Sequence, residues 1–274
     1  MTATQSERAN RFRALHREPG IFVMPNPWDA GSARVLAGLG FKALATSSGA
    51  AAGVLGRRDG RITRDEALAQ IQAIVMATDL PLSADLEKGF GDSPAEVAET
   101  IRLGAAAGLV GGSIEDFTGY AERPLFDIGE ATERIAAAAE AARGLPFPFM
   151  LTARAENFLR GNPDLDDTLL RLQAYEKAGA DVLFAPALPD LEAVRMLCAS
   201  LSKPVNFMVG IPGKSFSVAE LEAAGVKRIS LATSLFRAAM TGLVDAAQEI
   251  RDKGSFNYLD DLMPSSTLNG FMQG

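Results

Sequence analysis

Residues 108–116 read Gly-Leu-Val-Gly-Gly-Ser-Ile-Glu-Asp, an apolar run that opens on a glycine and closes on two acids. The stretch before it, 94–107, is rich in Ala and carries its apolar residues at helical spacing. A glycine at such a junction is the expected left-handed cap of a helix that runs straight into a strand. The same arrangement recurs at Gly40 before 41–46, Gly179 before 180–186 and Gly225 before 226–232. Between these, four further apolar runs follow a proline: Pro19 before 21–24, Pro81 before 82–85, Pro148 before 149–154 and Pro204 before 205–208. Stretches 64–77, 129–143, 165–178 and 191–201 also show helical spacing in Ala, Leu, Glu and Arg. Eight strand–helix units with near-continuous apolar strands predict a (β/α)8 TIM-type α/β barrel, buried on both faces of its sheet. A doubly wound open sheet is the alternative. No strict residue-level repeat accompanies the alternation.

The length agrees, since 274 residues fit one barrel-sized domain. The barrel is expected over 1–253. Beyond Lys253 the sequence Ser-Phe-Asn-Tyr-Leu-Asp-Asp-Leu-Met loses the barrel periodicity, so 254–274 reads as a C-terminal helical extension packed on a neighbouring subunit. With 47% hydrophobic residues the chain can bury a full core. A net charge of −7 argues against nucleic acid, which needs a basic face, and against an anionic membrane surface. No leader or spanning run is visible in the sequence, so a cytoplasmic location is expected. The single Cys198 excludes an internal disulfide and Cys-rich metal sites. The single His16 lies in a polar N-terminal segment, which leaves the chemistry to carboxylates, Arg, Lys, hydroxyls and a metal.

Barrel enzymes react at the C-terminal ends of their strands. That rule selects Ser47, Ser48, Gly49 and Asp59 after the second strand, Asp85 and Glu87 after the third, Glu115 after the fourth, Arg154 after the fifth and Asn206 on the seventh. Asp85 and Glu87 are two apart and would share one face of an extended strand. Clustered carboxylates repel unless a cation holds them, and hard oxygen donors without His or Cys suit Mg2+ or Mn2+. The competing reading is that these are scattered rim charges paired with Lys and Arg. Gly213-Lys214-Ser215 has the end of a P-loop, but Met208 stands where the first glycine is required.

Four ordered motifs carry a resemblance: Asp59 after Gly-Arg-Arg, Asp-Leu-Glu-Lys-Gly-Phe-Gly from Asp85, Ser-Ile-Glu-Asp holding Glu115, and Thr-Ala-Arg-Ala-Glu holding Arg154. Together with Asn26 to Arg34 they resemble the isocitrate lyase / phosphoenolpyruvate mutase superfamily over about residues 20–240. The resemblance implies a Mg2+ site with Asp85 as its direct ligand and with Glu87, Glu115 and Asp59 holding the ion's waters. It further implies that Ser47, Ser48 and Gly49 bind a substrate carboxylate, that Asn206 assists, and that Arg154 neutralises developing charge. Members that exchange their C-terminal helix between barrels imply a homo-oligomer, a dimer of dimers.

Departures from the pattern narrow the reaction. The loop after Glu115 reads Phe-Thr-Gly-Tyr-Ala-Glu-Arg-Pro-Leu-Phe-Asp, without the Cys and His that lyases of the superfamily carry there. Pro186 stands where tricarboxylate lyases have a Glu. The loop offers Tyr120, Glu122 and Arg123 to close over a substrate, with ordinary solvated residues as the alternative. The expected activity is a Mg2+-dependent carbon–carbon lyase on a small 2-oxo or 2-hydroxy dicarboxylic acid through an enolate, of the oxaloacetate decarboxylase type. Phosphorus–carbon chemistry, or a metal–oxo acid binding barrel without turnover, are the alternatives.

Overall fold

The structure, a computed structural model, describes residues 3–273. Eight parallel strands form one sheet: β1 (Phe22–Met24), β2 (Leu44–Ala45), β3 (Leu82–Asp85), β4 (Gly111–Glu115), then β7 (Met150–Arg154), β8 (Val182–Phe184), β9 (Val205–Met208) and β10 (Arg228–Ser230). Their order is β1-β10-β9-β8-β7-β4-β3-β2, so each barrel strand neighbours its successor and only β1 and β2 lack a ladder. Pro25 and Pro27 remove the donors that such a ladder would use. The seam is closed instead by Ala45 N–H donating to Pro25 O at 3.0 Å and Asn26 Nδ2 donating to Thr46 O at 2.8 Å. The eight strand runs and the barrel class read from the sequence are therefore present.

Helices α4 (Arg64–Ala77), α5 (Pro94–Ala106), α6 (Ile128–Arg143), α7 (Leu165–Ala178) and α8 (Leu191–Ser200) match the five predicted stretches to within a residue. The four junction glycines, Gly40, Gly108, Gly179 and Gly225, all take positive φ, between 87° and 109°. That conformation suits glycine because it lacks a Cβ. Short helices α2 (Ala30–Gly38), α3 (Ser48–Val54) and α9 (Val218–Ala223) complete the ring.

Two features were not legible in advance. Helix α1 (Gln5–Arg17) plugs the N-terminal end of the barrel with Ala9, Phe12 and His16, all buried. Gly111 admits it, since a Cβ there would stand 2.8 Å from the Phe12 ring. His16 is thus a buried residue packed edge-on against Phe12 and Phe22, not part of a solvated arm. The loop after β4 is an antiparallel hairpin, β5 (Phe117–Tyr120) and β6 (Arg123–Leu125).

The C-terminal region splits in two. Helix α10 (Ser234–Lys253) buries no residue, and Met240, Leu243, Val244 and Ile250 are exposed on it. Helix α11 (Ser265–Met272) returns to its own chain: Phe271 lies against Gly38 of α2, and Arg34 donates to Met272 O. No helix among the described residues is long and apolar enough to cross a membrane.

Candidate active site

A cavity of about 540 Å3 opens at the C-terminal ends of the strands. The alternation of a strand turns Ser83 and Asp85, Ser113 and Glu115, and Asn206 and Met208 inward, and all six line it. Asp59, Glu87, Arg154, Ser47 and Ser48 line it as well. Gly49 does not; it lies behind, where an added Cβ would meet Thr233 at 2.9 Å and Asp59 at 3.4 Å. Its small size lets those two approach the rim.

Arg154 organises the acids. Its Nη1 donates to Asp85 Oδ1 at 3.0 Å, its Nη2 lies 3.2 Å from Glu115 Oε2, and its Nε and Nη2 donate to Glu156 Oε1 at 3.0 and 2.8 Å. Arg160 adds a second cation, 3.6 Å from Glu115 Oε1 and 3.2 Å from Glu156 Oε2, stacked on Phe117. Below them Asp116 accepts from Glu156 N–H, Arg171 and Tyr175 and fixes the whole group. Glu156, Arg160 and this buried support were missed by sequence reading. Glu156 stood in the quoted Thr-Ala-Arg-Ala-Glu motif, two residues from Arg154 and therefore on its face of the chain.

Asp85 ends β3, with Oδ2 accepting from Ser48 N–H and Oδ1 from Glu87 N–H, both at 3.2 Å. Glu87 reaches the cavity by a different route from the one expected. The strand stops at Asp85 and Glu87 takes φ 49°, a left-handed conformation that costs a non-glycine residue on the order of 1 kcal/mol. The turn lets Leu86 bury fully while Glu87 faces the acids. Glu87 Oε1 is buried with no hydrogen-bond partner. Burial first, then the charges of Asp85 and Asp59, push its carboxyl up to about 7. Glu115 is raised too, by burial acting against the pull of Arg154.

An orphaned carboxylate oxygen among like charges is what a cation would relieve, so the donor set fits a hard divalent ion. Among the described residues no three His, Cys, Asp or Glu side chains are arranged to hold a metal unaided.

Several singled-out residues lie elsewhere. Tyr120, Glu122 and Arg123 do not line the cavity. The hairpin is tied outward, by Tyr120 OH donating to Asp92 at 3.3 Å and Arg123 pairing with Glu130 at 3.2 Å. Lys214 donates to Ala187 O. Cys198 packs beside Gly225, its thiol pushed up to about 11 by burial, which makes it an inert packing group. Asn206 faces inward but is 2% exposed, its amide engaged with Ser230 and Arg228.

A parallel (β/α)8 barrel with buried acids and a buried arginine converging at its strand ends defines an enzyme, and comparison with known proteins gives its class. A sequence model of the phosphoenolpyruvate phosphomutase family matches residues 12–251, and the chain belongs to that family, within the isocitrate lyase / phosphoenolpyruvate mutase superfamily of carbon–carbon lyases and mutases. It is 31% identical to 2-methylisocitrate lyase of Escherichia coli over 262 residues, 92% of this chain and 87% of that one. A crystal structure from Burkholderia cenocepacia, described as a lyase/mutase, superposes with a TM-score of 0.96 at 51% identity, covering 98% of this chain and 97% of the other. Oxaloacetate acetylhydrolase, solved with the product oxalate and with the inhibitor 3,3-difluorooxalacetate, superposes at 0.88 and 25% identity, covering 98% and 94%.

Proposed function

We propose that this enzyme is a Mg2+-dependent carbon–carbon lyase, with Mn2+ as a substitute, acting on a small 2-oxo or 2-hydroxy dicarboxylic acid through an enolate. The favoured reaction is of the oxaloacetate decarboxylase type. One observation carries the choice: among the described residues that line the cavity, none is Cys, His, Lys or Tyr. Retro-aldol cleavage of a tricarboxylate needs a base for the hydroxyl and an acid for the carbanion, each worth about 10² to 10⁴ in rate. Decarboxylation needs no dedicated base. The names of two relatives, an oxaloacetate acetylhydrolase and a 2-methylisocitrate lyase, support carbon–carbon chemistry on small carboxylates.

Asp85 would touch the ion, and Glu87, Glu115 and Asp59 would hold its waters. When bound, the ion supplies a Lewis acid for the 2-oxo carboxylate. Ser47 and Ser48, which line the cavity, would orient the substrate carboxylate, with Asn206 assisting from below and Gly49 lying behind them. Arg154 would neutralise charge that develops as the bond breaks. The exposed apolar side chains of α10 and of Phe256, Leu259, Leu262 and Met263 support a homo-oligomer, a dimer of dimers, with this surface covered by a neighbouring subunit.

The test is kcat/KM with Mg2+ for oxaloacetate, isocitrate, methylisocitrate, dimethylmalate and phosphonopyruvate. Oxaloacetate is expected to lead by at least about tenfold, a preference of roughly 1.4 kcal/mol in the transition state. A leading rate on any hydroxy acid overturns the decarboxylase reading. Leadership by phosphonopyruvate would establish phosphorus–carbon chemistry, which the phosphomutase family match over 12–251 favours as the second reading.

A further inference from the structure

Arg228 is a buried cation that the site described so far does not use. It opens β10, is 3% exposed, and lines the cavity beneath the acids together with Ser83, Ser113, Asn206 and Ser230. The other buried arginines are matched to anionic or carbonyl oxygens. Arg154 pairs with Asp85, Glu115 and Glu156; Arg171 pairs with Asp116 and Asp167; Arg134 donates to the carbonyls of Lys88, Gly91 and Asp92. Arg228 meets only neutral groups: its Nε donates to Asn206 Oδ1 at 2.8 Å and its Nη2 to Thr152 Oγ1 at 3.0 Å. Its Nη1 lies 3.3 Å from His16 Nε2. The other ring nitrogen of His16 is 2.8 Å from Phe12 O, and a carbonyl can only accept. Nδ1 therefore carries the proton, and Nε2 is an acceptor for Arg228.

A guanidinium has five N–H donors, and these three contacts leave two for a ligand. Burying an unpaired cation costs several kcal/mol, a cost that an anion at the same place offsets. Burial lowers Arg228 to about 9, which still leaves it charged at neutral pH. The cavity is therefore polarised, with carboxylates suited to a metal at the rim and an unneutralised guanidinium at the floor.

Resting on the function proposed above, we propose that Arg228 is a specificity-determining residue that binds the second anionic group of a dianionic 2-oxo acid. The metal-facing end of such a ligand occupies the rim near Asp85, and its distal carboxylate reaches down to the two spare N–H groups. Asn206 and Thr152 hold the guanidinium in plane for that contact, and His16 anchors it from the plugging helix. A monoanionic 2-oxo acid gains nothing from the floor.

The test compares 3,3-difluorooxalacetate with pyruvate, both titrated calorimetrically with Mg2+ into wild type, Arg228→Met and Arg228→Lys. Losing a buried charge-assisted contact should weaken the dianion at least about thirtyfold in Arg228→Met while changing pyruvate less than about threefold. Arg228→Lys should fall between. Equal weakening of both ligands alongside a lower melting temperature would make Arg228 a structural prop and overturn the proposal, as would no change in either. Should Arg228→Met not fold, a crystal structure of wild type with the dianion decides. A carboxylate within about 3 Å of the guanidinium supports the assignment, and a carboxylate left at the rim overturns it. If wild type binds pyruvate with Mg2+ but not the dianion, only this proposal falls. If it binds neither, the reading of the site as a 2-oxo acid site falls and takes this proposal with it.

Discussion

Arg154 Nη1 lies 3.0 Å from Asp85 Oδ1, so the carboxylate expected to touch a metal is held in place by a buried guanidinium. The same cation serves Glu115 and Glu156, which are buried alongside it. Removing it strands up to three acids in a low-dielectric site. Arg154→Met should destabilise the protein by about 3–5 kcal/mol, the usual consequence of breaking a buried pair from one side. Urea denaturation measures this, and adding Glu156→Gln to the variant should restore part of the loss. A cost below about 1 kcal/mol would mean that the acids do not depend on Arg154.

Asp85 and Glu87 should respond differently to neutralisation, although both face the same cavity. Asp85→Asn keeps the shape but removes the proposed direct ligand, so Mg2+ binding and activity should disappear together. Glu87→Gln removes a buried charge whose Oε1 has no partner. The metal-free protein should then gain about 1 kcal/mol, or roughly 2–4 °C in melting temperature for a chain of this size, while Mg2+ affinity falls. Calorimetry with Mg2+ and thermal melts in chelator give both readouts. Unchanged Mg2+ affinity in Asp85→Asn would remove it as a ligand, and a lower melting temperature for Glu87→Gln would show that its carboxylate is already compensated.

The rim of the barrel was legible because its signals are local. A glycine cap and an apolar run mark each strand, and the first acid or arginine after the run falls at the strand's end, as Asp85, Glu115 and Arg154 do. Glu87 was placed correctly at the cavity from a wrong premise, since the extended geometry assumed for it ends at Asp85 and a left-handed turn replaces it. The floor was not legible. Arg228 pairs with residues 22, 76 and 212 positions away, and no local spacing announces such contacts. The one available signal was a pair of charges, Lys227 and Arg228, inside the strand run 226–232. The hairpin escaped for a related reason: its outward tie runs through Asp92 and Glu130, which belong to other loops and helices.

Helix α10 is twenty residues long and buries none of them, an arrangement that a chain in isolation has little reason to keep. Twenty residues with exposed Leu243, Val244 and Ile250 should be covered by a second chain. Light scattering at micromolar concentration is expected to give the mass of four chains, and Leu243→Arg with Val244→Glu should reduce it. A wild-type monomer at that concentration would exclude the assembly.

The plugging helix predicts a pH dependence of stability that involves none of the carboxylates at the rim. His16 is buried, and burial first, then the charge of Arg228, lowers its pKa from 6.5 to about 3. Between those two values the unfolded chain binds a proton at this position and the folded chain does not, so stability rises with pH across the window. The contribution is fully present above pH 6.5 and is lost as pH falls toward 3. From pH 7 to pH 5 the loss amounts to about 2 kcal/mol, at about 1.4 kcal/mol per pH unit once the unfolded histidine is protonated. His16→Gln keeps a polar side chain beneath Arg228 but cannot titrate. Urea denaturation of both proteins at pH 7 and pH 5 should therefore show wild type losing about 2 kcal/mol more than the variant, with unchanged m-values. Carboxylates that titrate in the same range are common to both proteins and cancel in the difference. Equal losses would mean that His16 can take up a proton in the folded state, and that the seal formed by Phe12, Phe22 and Arg228 around it opens to water.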